Sequence, residues 1–285
     1  MIEFITDSTA NLPKELIGDY PVKIVSLSVL VDDVLFLENE TENCVFYKAM
    51  SQAKCFPKTA QPSVELMMNA FEDALKAGNS VIGVFLSSEM SGTFQTACMI
   101  KNQFLDIYPD ARIEIIDSRT NCMQMGFNVL HGAELARVGT PFEEIVASMQ
   151  AHVHRSRFIF LPDTLEYLKM GGRIGGAQAL LGTIFQILPI LTVRDGKTEV
   201  LKKVRTKKKA VETMVQYALE EIGTYGIGHM AVHHIDAFDE GKALAEKLES
   251  TLGIVVPVVG LGPIIGSHVG PGAIGIAYDL QRPYE

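Results

Sequence analysis

Cysteine is scarce in this sequence. Cys44, Cys55, Cys98 and Cys122 are the only four in 285 residues, and they include no C-x-x-C pair and no zinc spacing. A disulfide framework is therefore not expected, and the four read as reduced thiols of a cytosolic protein. Positive charge is short as well, with 25 Lys and Arg against 34 Asp and Glu and a formal charge of -9. A surface that binds nucleic acid displaces counterions with a cationic footprint, so nucleic acid is not an expected partner. The local exception is LKKVRTKKKA, where six of the eight residues from Lys202 to Lys209 are basic. It reads as a solvated face at the entry to a helix or, more sharply, as a dock for an acidic partner.

Membrane-spanning runs are missing too. From Ser250 to Tyr278 the only ionisable side chain apart from Tyr278 itself is His268, but Pro257, Pro263, Pro271 and seven glycines interrupt the stretch. In lipid the backbone groups they free would have no partner, so the segment is expected to form strands and turns in a folded core. The opening MIEFITDSTANLP has no basic region followed by an apolar stretch, and no signal peptide is read there. There is no P-loop, and His152, His154, His233 and His234 lack carboxylate or cysteine partners at metal-site spacing. GPGAIG at 270–275 matches the dinucleotide fingerprint formally, but the chain offers no room after it for a crossover helix, a second strand and a ribose-binding acid. No metal and no cofactor is assigned.

What is present is the composition of an ordinary globular protein, 47% apolar and 21% charged, long enough for two domains. Strand patterns at 2–5, 22–31, 80–86 and 113–116 alternate with helical ones at 13–17, 43–53, 63–77, 92–108 and 126–138. This points to a parallel sheet with helices on both faces. The polar loops DST, SSEMSGT and DS follow three of these strands and should share the carboxyl edge, where such sheets bind ligands. After a helix at 141–155 the texture changes. A strand, a helix, a glycine turn and an apolar helix come first. A hairpin turning at Asp195-Gly196 follows, then helices at 208–221 and 240–252, a strand at 228–234 and two final strands. The expected fold class is α/β, with one domain at 1–155 and a second α/β domain at 156–285.

Three places could carry chemistry. Ser91, with Gly92 and Thr93, opens a helix, where free amides, the dipole and hydroxyls suit a carboxylate or phosphate; the plain reading is a helix cap. His268 lies in GPIIGSHVGPGAIG, either as a satisfied core histidine or beside a ligand that the glycines let approach. Arg173 sits between paired glycines in LKMGGRIGG, ahead of an uncharged run from Ile174 to Val193. One charge bordering such a run suits a ligand with an acidic head and a greasy tail. A nucleophilic serine needs a neighbouring base, and G-x-S-x-G is absent around Ser91. With His268 as a distant base, a serine hydrolase acting on acyl esters stays as the alternative.

Taken together, FITDSTANLP, KTAQPS, SSEMSGTFQTA, Asp117-Ser118, LKMGGRIGG, LPIL and GPIIGSHVGPGAIG resemble the DegV family of bacterial fatty-acid-binding proteins over essentially the whole chain. The resemblance implies a two-domain α/β protein holding one long-chain fatty acid in a tunnel between its domains. It also implies a non-catalytic subunit of a fatty acid kinase, whose separate ATP-dependent subunit phosphorylates the bound carboxylate for phospholipid synthesis, with peripheral membrane contact for lipid exchange. Carried over by motif, Thr59 and Ser91 would bind the carboxylate, His268 would lie close to it, and Arg173 would assist phosphoryl transfer. Ala60, Met170 and Leu188 depart from the family pattern, keeping the head-group donors but reducing the positive surroundings.

Overall fold

The computed structural model describes residues 1–181 and 187–284. The chain begins with β1 (Ile2–Asp7), α1 (Lys14–Ile17), β2 (Val22–Val25), β3 (Ser28–Val31), β4 (Val34–Leu37), α2 (Asn43–Gln52) and β5 (Lys58–Ala60). It continues through α3 (Val64–Lys76), β6 (Ser80–Phe85), α4 (Thr93–Ile107), β7 (Ile113–Asp117), α5 (Cys122–Arg137) and α6 (Phe142–His152). Then come β8 (Ser156–Leu161), α7 (Glu166–Met170), β9 (Leu188–Arg194), β10 (Lys197–Val204) and α8 (Lys207–Tyr225). Last are β11 (Ile227–His234), α9 (Phe238–Leu252), β12 (Val258–Gly260), α10 (Pro263–Val269) and β13 (Ile274–Leu280).

A parallel sheet of order β2-β1-β6-β7 carries the first half of the chain. Its strands are apolar on both sides because helices cover both faces. Ile5, Val81 and Phe85 face α3 and α4, while Phe4, Ile82 and Val84 face the opposite way into the central core. A second sheet, β10-β9-β8-β13-β11-β12, is antiparallel except for β11 with β12. Phe158 and Phe160 of β8 face that same central core, and Ile159 and Leu161 face α8 and α9. The two sheets therefore share one apolar layer.

Helix α5 fills much of that layer, touching β1, β6, β8 and β13. Its residues 122–130 are all buried, as expected of a helix with no solvent face. Its polar members donate inside, Gln124 to the Ser156 carbonyl and Asn128 to that of Met149, while Asn128 Oδ1 is buried without a partner. The amide of Met123 donates to His233 Nε2 at 3.2 Å, and His233 Nδ1 lies 3.2 Å from the Val259 carbonyl. His233 is thus a core histidine that ties α5 to the second sheet, and its burial holds the imidazole down at about 4.

Several expectations need correction. The strand read at 22–31 is two strands in different sheets, because the chain leaves the parallel sheet after Val25 and pairs Ser28–Val31 with β4 and β5. The helix read from Gly126 begins at Cys122. The segment expected to hold only strands and turns contains α10, with Pro263 in its first turn, where a missing N–H costs nothing, and Gly270 closing it at φ 87°. The apolar helix expected after the glycine turn is a 3-10 segment at Gly175–Leu180, and the part of that expectation that falls on 182–186 lies outside the described residues.

Candidate functional site

The loops DST, SSEMSGT and DS do meet at the carboxyl edge of the parallel sheet. Buried Asp7 joins the first to the second: its Oδ1 accepts from the Thr9 amide and hydroxyl, and its Oδ2 from the Leu86 amide at 2.8 Å. Burial pushes the Asp7 carboxyl up to about 6, against the three hydrogen bonds that favour the anion. The hairpin tip of β9 and β10 then closes over the edge. Ser87 Oγ donates to the Gly196 carbonyl at 2.8 Å, and the Arg119 guanidinium donates to the carbonyl of Asp195. Ser87 and Ser88 therefore lock the loop, and Thr96 holds Gln61.

Between this edge and the second sheet lies a cavity of about 230 Å³. One part of its wall is polar, with Thr59, Gln61, Ser91, Asn121, Arg173 and His268. The rest is mainly apolar and includes Leu27, Leu86, Phe158, Phe160, Leu168 and Ile264. Among the described residues no Asp or Glu side chain lines it.

The geometry of the polar wall is specific. Thr59 reaches it on β5, paired to Val29, and its Oγ1 lies 2.9 Å from His268 Nε2. Burial, and after it the Arg173 guanidinium, holds His268 down at about 4, so the ring is neutral at pH 7. Ser91 precedes α4. Its Oγ lies 2.9 Å from Thr93 Oγ1 and accepts from the Thr93 amide at 3.3 Å. Thr93 itself is fully buried and stands behind Ser91. Gly92 lets Gln61 close in, since a Cβ there would fall 2.9 Å from Gln61 Oε1. Arg173 donates twice to the Met90 carbonyl, at 3.0 and 2.8 Å, and once to that of Gly171 at 2.7 Å, so it also fixes the backbone before Ser91.

The structure thus brings Thr59, Ser91, Gly92, Arg173 and His268 to one cavity. The sequence reading did not single out Gln61, Asn121, Gly171 or the two phenylalanines of β8. Gly171 has a visible signal, the doubled glycine of LKMGG: a Cβ on it would lie 2.2 Å from His268 Nδ1. Among the described residues no group of His, Cys, Asp or Glu is arranged to hold a metal, and no helix is long and apolar enough to cross a membrane.

The comparison with known proteins agrees with this architecture. A DegV domain-containing protein of Clostridium acetobutylicum is 47% identical over 281 residues, covering 99% of this chain and 98% of its own. A solved DegV family protein from Thermus thermophilus, described for its fatty acid binding, is 31% identical with a TM-score of 0.88, covering 98% of this chain and 99% of its own. A stearic acid-binding protein from Eubacterium ventriosum is 26% identical with a TM-score of 0.89, covering 99% of both chains. The family model described as "Uncharacterised protein, DegV family" matches residues 1–281, and the chain belongs to the DegV family.

Proposed function

We propose that this protein binds one long-chain fatty acid of the palmitate or oleate class and presents its carboxylate to an ATP-dependent kinase subunit, which converts it to an acyl phosphate. The carrying observation is the single cavity that joins a hydroxyl, amide and imidazole wall to an apolar one. The tail lies along the phenylalanines of β8, between the halves 1–155 and 156–285. The carboxylate meets Thr59, Ser91 and His268, backed by Gly92, Thr93 and Arg173. Solved relatives that bind fatty acids support the ligand class. The kinase partner, and exchange of cargo through peripheral contact with a membrane, follow from the family resemblance.

Magnitudes favour a carrier whose tail supplies affinity. Burying about 15 methylenes at about 0.8 kcal/mol each gives on the order of 12 kcal/mol gross. Association costs of about 4 to 15 kcal/mol oppose it, and a charged hydrogen bond adds about 1.5 to 3. The head group therefore orients more than it holds. Ser91→Ala is expected to weaken oleate binding about tenfold and to slow phosphorylation by the kinase subunit. Unchanged binding together with unchanged phosphorylation would remove Ser91 from the site.

The hydrolase alternative has less support, because Ser91 Oγ is bonded to Thr93 and His268 Nε2 to Thr59. A fluorophosphonate probe that labelled Ser91 would reverse that judgement.

A further inference from the structure

Glu38 is a buried acid for which the cavity alone gives no role. It follows β4, is 8% exposed, and accepts from the Ile264 amide through Oε1 at 3.0 Å; its Oε2 is buried with no hydrogen-bond partner. It belongs to a clasp on the start of α10. Asn11 Oδ1 accepts from the Gly262 amide at 2.9 Å, and Tyr47 donates its hydroxyl to the Leu261 carbonyl at 2.7 Å. Gly262 leaves room for the carboxyl, since a Cβ there would lie 2.4 Å from Glu38 Oε1. Residues of the first half therefore grip the first turn of a helix from the second. Ile264 and His268 are four residues apart on that helix, hence on one face.

We propose that Glu38 is a positioning residue of the head-group site: it holds the first turn of α10, and through it His268, closed over the cargo, and access of water to its carboxyl releases that turn and the bound acid. The cargo part rests on the fatty-acid reading above; the hold on α10 does not.

The surroundings give the hold a sign. The titratable groups facing Glu38 are Asp7 at the end of β1, Tyr47 on α2 and Cys122 at the start of α5, and none is cationic. Burial pushes the Glu38 carboxyl up from 4.5 to about 7. The closed arrangement thus holds the proton more tightly than one in which Glu38 is hydrated. Its extra stability is present below pH 4.5 and is lost as pH rises toward 7. Opening becomes easier across that window.

The test uses the full chain loaded with radiolabelled oleate and measures release into phosphatidylcholine vesicles between pH 5 and 8, for the wild type, Glu38→Gln and Glu38→Ala. Amide exchange at 262–268 is followed in the lipid-free protein. The wild-type release rate, divided by that of Glu38→Gln, should rise about tenfold or more across the range, and protection at Ile264 should fall with it. Glu38→Gln keeps an acceptor without the charge and should stay protected throughout, while Glu38→Ala should release quickly at every pH. Parallel release profiles for the wild type and Glu38→Gln, or an Ile264 amide whose protection does not distinguish them, would overturn the proposal. If oleate does not bind at all, the fatty-acid reading fails and the exchange arm alone decides on Glu38.

Discussion

Gly171→Ala is expected to weaken fatty-acid binding by up to about 150-fold while leaving the fold intact. The backbone at Gly171, φ -75° and ψ -8°, is open to any residue, so the methyl group adds no strain of its own. Its position does the damage, 2.2 Å from His268 Nδ1 and 3.0 Å from Cε1. The ring has to move, and the 2.9 Å contact between its Nε2 and Thr59 Oγ1 breaks. Overpacking of this kind costs about 1 to 3 kcal/mol, which is about 5- to 150-fold in affinity if it falls on the bound state. Calorimetric titration with oleate reads the affinity. A double variant with His268→Ala should recover thermal stability without recovering affinity. Wild-type affinity in Gly171→Ala would mean that His268 does not meet the head group.

Asp7→Ala is expected to cost the fold about 3 kcal/mol or more at pH 8, seen as a lower urea midpoint at unchanged slope. The carboxylate accepts from three donors, the Thr9 amide, the Thr9 hydroxyl and the Leu86 amide, and its removal leaves them buried without an acceptor. Asp7→Asn should fare little better, because its amide nitrogen would face an N–H on one side. The pH dependence of this site has a definite sign. With the folded carboxyl raised from 3.8 to about 6, its contribution is greatest below 3.8 and declines as pH rises to 6. The wild type should therefore lose part of its margin over Asp7→Ala across that window. A change below 1 kcal/mol would show that the DST and SSEMSGT loops are joined by something other than Asp7.

Much of this architecture was legible because local pattern and tertiary setting agree. The alternation of strand and helix, the three polar loops on one sheet edge and the hairpin at Asp195-Gly196 all follow from periodicity and turn chemistry. What failed did so for identifiable reasons. Helix α5 is buried on every side near its start, so residues 122–125 show no polar contrast by which to find the first turn. Helix α10 hides among prolines and glycines that the pattern reads as turns, although Pro263 is a helix starter and Gly270 a helix stop. The break after Val25 leaves no local mark, since the chain stays β-rich while its partner strand changes. At the site, Ser91, His268 and Arg173 could be picked out for their residue types in glycine-rich or helix-opening contexts. Thr59 came from the family resemblance alone. Asn121 and Gln61 carry no sequence signal, because their place on the wall depends on how β5 and α5 pack.

The central claim, a cavity built to hold a long-chain acid by its carboxylate, is tested most directly by denaturing the purified protein and extracting it for mass spectrometry. The account predicts long-chain fatty acid at close to one molecule per chain, or stoichiometric uptake of added palmitate or oleate by delipidated protein. Extracts free of fatty acid, together with no uptake of either acid, would contradict it.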